Sequence, residues 1–160
     1  MLSVWRITSR KFTKSAFKGE GARLYGGRWN TPGTPLIYTA ESKSLAMLEI
    51  LVHLDSPDLL RKYVLFEVKV EDSLVTHLDP ASLPKDWRQD PPPAAAQNIG
   101  DEWASSARSA VLRVPSAIVT GEFNFLLNSR HPDFIKLKIG QPQSFFIDPR
   151  LERHKKSQRE

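Results

Sequence analysis

Glu49 and His53 stand four residues apart in the stretch Ser42–Leu54, so on a helix they share one narrow wedge with Ser42 and Ala46. Leu45, Met47, Leu48, Ile50, Leu51, Val52 and Leu54 fill the rest of the circumference. A helix apolar nearly all round is predicted to be buried, so its carboxylate faces either a thin strip of solvent or a lined cleft. In the first case Glu49 and His53 make an ordinary i, i+4 pair contributing roughly a few tenths of a kcal/mol. In the second, the carboxylate can hydrogen-bond a sugar hydroxyl or stabilise an oxocarbenium-like transition state.

The segment Gly21–Asn30, GARLYGGRWN, is a second candidate. Glycines let the main chain approach a ligand, and arginine offers a fork of donors to a phosphate. Arg28 joins that fork to the aromatic face of Trp29; a tight turn whose arginine stacks on tryptophan is the plainer alternative. A third is Ser116 in Val114-Pro115-Ser116-Ala117, where Pro115 keeps Val114 extended and sets the hydroxyl at a bend or strand entry. That hydroxyl can meet a ligand or satisfy local backbone. His53, His77, His131 and His154 lack metal spacing, which argues against zinc, and Asn128 and His131 read first as turn formers.

The elements that must position these residues follow from pattern. Strands are predicted at Leu2–Thr8, Leu36–Thr39, Tyr63–Val70, Ala110–Val114, Ala117–Thr120 and Phe123–Leu127, with a last hairpin from Ile135–Ile139 and Ser144–Ile147. Ser42 caps a helix through about Leu54 that Asp55-Ser56-Pro57 ends, and Ala94–Ser106 forms a second helix, broken or staggered at Gly100. Residues 71–93 are turn-rich and end in the extended triplet Pro91-Pro92-Pro93. The order lacks regular strand–helix alternation, so the fold class expected is α+β, with a largely antiparallel sheet and a few helices. Neither G-x-G-x-x-G nor a P-loop lysine motif is present.

The 160 residues, 40% hydrophobic and 26% charged, fit one domain that needs no staple to fold. The absence of cysteine excludes disulfides, thiolate metal sites and cysteine nucleophiles. No apolar run reaches the roughly 18 residues of a membrane helix, and the N-terminus lacks a secretory core, so a cytoplasmic protein is expected. Net charge is +5 but uneven: +6 over residues 1–28, −4 over 29–149 and +3 in the tail 150–160, which is expected to fray. A positive segment interleaved with glycine suits a small anion as well as a polymer. Trp5, Trp29, Trp87 and Trp103 could stack on bases, yet the negative core and missing signatures argue against nucleic-acid binding.

Taken together, GARLYGGRWN, PLIYTA, LAMLEIL with Glu49, LRVPSA and LLNSRHPDF resemble the RES-domain toxin family from about Val4 to Ile147. The family is named for Arg, Glu and Ser, matched here by Arg28, Glu49 and Ser116. The resemblance implies a RES domain over residues 1–149, an ADP-ribosyltransferase-like fold, and action on NAD as substrate with no further cofactor and no metal. It implies that Arg28 binds phosphate, Tyr38 stacks on nicotinamide, Glu49 holds the ribose hydroxyls and Ser116 orients Glu49 or the leaving amide. Arg6 is a second phosphate contact, and Trp29 and Asn128 complete the NAD-binding set; members often carry Asn-Pro where Asn128-Ser129 stands. The expected function is a type II toxin that cleaves NAD by hydrolysis or phosphorolysis, with protein ADP-ribosylation, RNA cleavage or a non-catalytic partner-binding role as alternatives. The expected partner is an Xre-like helix-turn-helix antitoxin, around a toxin homodimer.

Overall fold

Alternating apolar residues build two long strands, β1 (Leu2–Ser9) and β3 (Tyr63–Val70), paired antiparallel from Leu2 opposite Val70 to Ser9 opposite Tyr63. The computed structural model describes residues 1–55 and 57–151, and within them five more strands complete one sheet. These are β2 (Ile37–Ala40), β4 (Val75–His77), β5 (Val111–Pro115), β6 (Phe123–Leu127) and β7 (Lys138–Ile139). The spatial order is β4-β5-β6-β2-β1-β3-β7, and every neighbouring pair is antiparallel except β4–β5. With helices α1 (Glu20–Tyr25), α2 (Lys43–Leu51) and α3 (Ala94–Ser106), the chain is the α+β domain its pattern implies.

The register sets which residues share a face. Ala40 lies opposite Trp5 and Asn124, and Tyr38 opposite Leu126, so Trp5, Tyr38, Ala40, Asn124 and Leu126 point to one side. α2 packs Leu45 and Ala46 there against Ile7, Ala40 and Leu65. α3 packs Ala96 and Trp103 farther along it, with Trp29, Leu112, Val114 and Leu126. The opposite face carries the other core, Val4, Ile37, Val68, Val111, Phe125 and Leu127. Between the two helices the first face stays open. β1 and β2 share a single register pair, Trp5 with Ala40, so the sheet splits at this place.

Several elements differ from expectation for local reasons. α2 starts at its Ser42 cap, whose hydroxyl accepts from the Leu45 N–H, but ends at Leu51 and is not buried all round: Leu48 is 40% and Val52 59% exposed. α3 runs unbroken through Gly100, because a side chain there would overlap the carbonyl oxygen of Trp29; the glycine lets helix and loop touch. Residues 117–120 form bends, not a strand, since the Ser116 hydroxyl accepts the N–H groups of Ile118 and Val119. The expected last hairpin does not form. Pro132–Lys136 is a 3₁₀ turn, β7 joins β3, and Gln143 exchanges two 2.8 Å backbone bonds with Leu65. Residues 71–93 contain β4, too short to show in the pattern. Residues 152–160 of the basic tail lie outside the described residues.

Candidate active site

The open face between α2 and α3 is a cavity of about 880 Å³, within the range typical of small-molecule sites (about 300–1,000 Å³). Its floor is Trp5, Tyr38, Ala40 and Asn124; Glu49 and His53 come from α2 and the turn after it, Arg28 from the loop after α1, and Arg88 and Asp90 from the segment before α3.

Glu49 is half-buried, and the 1%-exposed Ser116 lies 3.0 Å from its Oε1. The Ser116 Oγ already accepts two backbone N–H groups at 3.1 Å, so its lone pairs are occupied and its proton must go to Glu49. This hydroxyl is therefore a fixed donor, not a nucleophile. It holds one carboxylate oxygen and leaves Oε2 without a protein donor among the described residues. Glu49 and His53 make no hydrogen bond to each other, so the helical pair is not closed on itself although both line the cavity.

The Arg28 loop is built from the inside. Asn30 is fully buried; its amide nitrogen reaches the carbonyls of Ala22, Thr31 and Thr34 at 2.9–3.1 Å, and its Oδ1 accepts the Tyr38 hydroxyl at 2.7 Å. That hydroxyl also accepts the Trp29 N–H at 3.1 Å, and a Cβ on Gly27 would stand 2.6 Å from it. Burial raises the Tyr38 pKa, so the phenol stays a neutral donor to Asn30. From α3, Gln97 Nε2 donates to the carbonyls of Gly27 and Asn30, and Asp101 accepts the Thr31 N–H and hydroxyl. So fixed, Arg28 Nη1 donates to the carbonyls of Trp87 at 2.7 Å and Gln89 at 2.8 Å, drawing that segment to the rim.

Other candidates fall in different places. Arg6 lines the cavity, but its Nε and Nη1 donate to the carbonyls of Ala16 and Tyr38, spanning the split between β1 and β2. Burial lowers its pKa to about 10, so it is charged at neutral pH with no carboxylate bound among the described residues. Trp29 also lines the cavity, but it is 2% exposed and stacked on Trp87 at 5.7 Å, so it offers little open aromatic face to a ligand. Asn128 does not line the cavity; its amide donates to the Ala104 carbonyl and accepts the Arg130 N–H, as a buried turn former does. Asn30 closes the candidate segment Gly21–Asn30 but was given no role of its own, and Gln97, Asp101, Arg88 and Asn124 were passed over. Of these four only Asn124 carried a signal, a polar residue inside the apolar run Phe123–Leu127.

Comparison with known proteins agrees with this architecture. A "Toxin Res" of Yersinia enterocolitica is 46% identical over 152 residues, covering 94% of this chain and all of that one. A "Prs ADP-ribosylating toxin" of Sphingobium is 38% identical, covering 94% of this chain and 97% of that one. A chain of the MbcT–MbcA toxin–antitoxin complex of Mycobacterium tuberculosis shares the fold, with TM-score 0.74 at 23% identity over 98% of this chain and 89% of that one. MbcT, described as an NAD(+) phosphorylase, is 44% identical over a 50-residue segment, 29% of this chain and 27% of its own. Residues 3–148 match the RES domain. The chain belongs to the RES-domain toxin family.

Proposed function

We propose that this protein is a type II toxin that breaks the nicotinamide–ribose bond of NAD and passes the ADP-ribosyl group to water or phosphate. The observation that carries the reading is Glu49, one oxygen held by Ser116 and the other open, in a cavity lined also by Arg6, Arg28 and Arg88. As the bond from ribose C1′ to the ring nitrogen breaks, its electron pair leaves with nicotinamide, which departs neutral and needs no strong acid. The sugar becomes oxocarbenium-like, and the carboxylate at its hydroxyls stabilises that charge. Arg28 and Arg88 suit the diphosphate, Arg6 adds a positive field from below, and the Tyr38 ring suits nicotinamide. The acceptor then bonds to C1′, and water loses a proton in doing so.

Expression in a bacterium should stop growth and lower cellular NAD, and Glu49→Gln should restore both. Growth arrest at unchanged NAD would reject depletion. A second reading, transfer of ADP-ribose to a protein, is favoured by the near-full-length Sphingobium relative, and labelled protein bands from labelled NAD in lysate would select it. Tyr25, Val52 and Ile118 expose 83%, 59% and 36% of their surface at the cavity mouth, which supports a protein cover. The cover proposed, in line with the resemblance, is an Xre-like antitoxin in a cytoplasmic assembly around a toxin homodimer, and co-expression followed by light scattering tests the assembly. No described helix is long and apolar enough to cross a membrane.

A further inference from the structure

Asn124 is a buried amide in the cavity floor whose oxygen end is unused among the described residues. It is 9% exposed, and its Nδ2 donates to the Thr39 carbonyl at 3.3 Å. Because a carbonyl can only accept, this contact fixes the amide orientation and makes Oδ1 the free end. Oδ1 takes no hydrogen bond among the described residues, yet no described buried side-chain oxygen lacks a partner. Oδ1 is therefore not sealed in the protein, and the open side of Asn124 is the cavity. Asn124 pairs with Ala40, two residues along β2 from Tyr38 on the same face, and follows by two residues Glu122, whose carbonyl accepts the Ser116 N–H. The amide thus stands between Tyr38 and the Ser116–Glu49 pair.

We propose that Asn124 is the specificity-determining residue for the leaving group, its Oδ1 accepting an N–H of the nicotinamide carboxamide. This rests on the NAD reading and names what that reading leaves open, how the site tells a carboxamide from a carboxylate. A nicotinate ring offers no N–H and sets a negative charge against an acceptor oxygen, so the acid analogue of NAD is rejected. Sites built to hydrogen-bond a substrate N–H discriminate strongly because the wrong ligand leaves a desolvated acceptor unpaired.

The test is calorimetric binding of NAD and of nicotinic acid adenine dinucleotide to the Glu49→Gln protein, in which turnover is slow, and to Glu49→Gln carrying Asn124→Ala. NAD should bind on the order of 10²-fold more tightly than the acid, and Asn124→Ala should weaken NAD about tenfold while bringing the two ligands within a few-fold. Equal binding of both by the parent, or an equal loss for both in the variant, overturns the proposal and leaves NAD recognition standing. Binding of neither dinucleotide overturns the NAD reading and this inference with it. Should Asn124→Ala fail to fold, the Glu49→Gln protein decides alone. Nicotinamide and benzamide should displace NAD where nicotinate and benzoate do not, and displacement by all four would contradict the assignment.

Discussion

Ser116 and Glu49, 67 residues apart, are joined by a 3.0 Å hydrogen bond whose direction is fixed by two backbone N–H groups on the serine oxygen. A carboxylate held at one oxygen keeps the other for a ligand without spending rotamer freedom when the ligand arrives. The bend at residues 116–122 and the last turn of α2 are thereby joined at the site.

Glu49→Gln should lower NAD turnover on the order of 10²-fold or more with little change in binding, as loss of an electrostatic stabiliser does. Ser116→Ala should cost about tenfold, and the double variant should be no slower than Glu49→Gln alone. Steady-state rates of the three proteins give the coupling, and additive losses would mean that the two groups act separately.

Arg28→Gln removes two hydrogen bonds from the carbonyls of Trp87 and Gln89 as well as a charge. Hydrogen exchange over residues 84–92 should accelerate, and KM for NAD should rise more than kcat falls. Unchanged exchange in that segment would show that the Trp29–Trp87 stack is enough to hold it.

Gly100→Ala should destabilise the protein by about 2 kcal/mol or more, against the gain of up to about 1 kcal/mol that alanine brings to a helix interior. The reason is local: the new methyl would meet the Trp29 carbonyl oxygen. Urea unfolding measures the sign, and a stabilised variant would mean that α3 can lift from the loop.

The Tyr38 pKa is raised by burial. Its contribution to stability is full below the unfolded tyrosine pKa of about 10 and is lost as pH rises through the higher folded value, because the unfolded chain ionises first. Wild-type denaturation midpoints should therefore fall more steeply above pH 10 than those of Tyr38→Phe. Parallel curves would place the phenol in contact with water.

Much of the scaffold was legible from local chemistry. Val64, Phe66, Val68 and Val70 alternate cleanly, and the bounds Tyr63–Val70 and Ala94–Ser106 are those the pattern gives. What failed was decided by tertiary partners. The helical wheel of α2 shows that it is apolar, not which side meets the sheet, so exposure of Leu48 and Val52 could not be read from it. Ala117–Thr120 has strand-like residues, but the Ser116 hydroxyl takes their N–H groups. In the site, Arg28, Tyr38, Glu49 and Ser116 gained roles from a combined motif. Gln97 and Asp101 were silent because nothing in α3 announces that it clamps a loop some 70 residues away.

In the proposed reaction Glu49 drives glycosidic cleavage of NAD. The most direct measurement is nicotinamide release from NAD by the purified, partner-free protein, followed by proton NMR with and without phosphate, beside Glu49→Gln. Release by the wild type is expected, and on the order of 10²-fold less by the variant, with phosphate dependence separating phosphorolysis from hydrolysis. Release at near-normal rate by Glu49→Gln would contradict it.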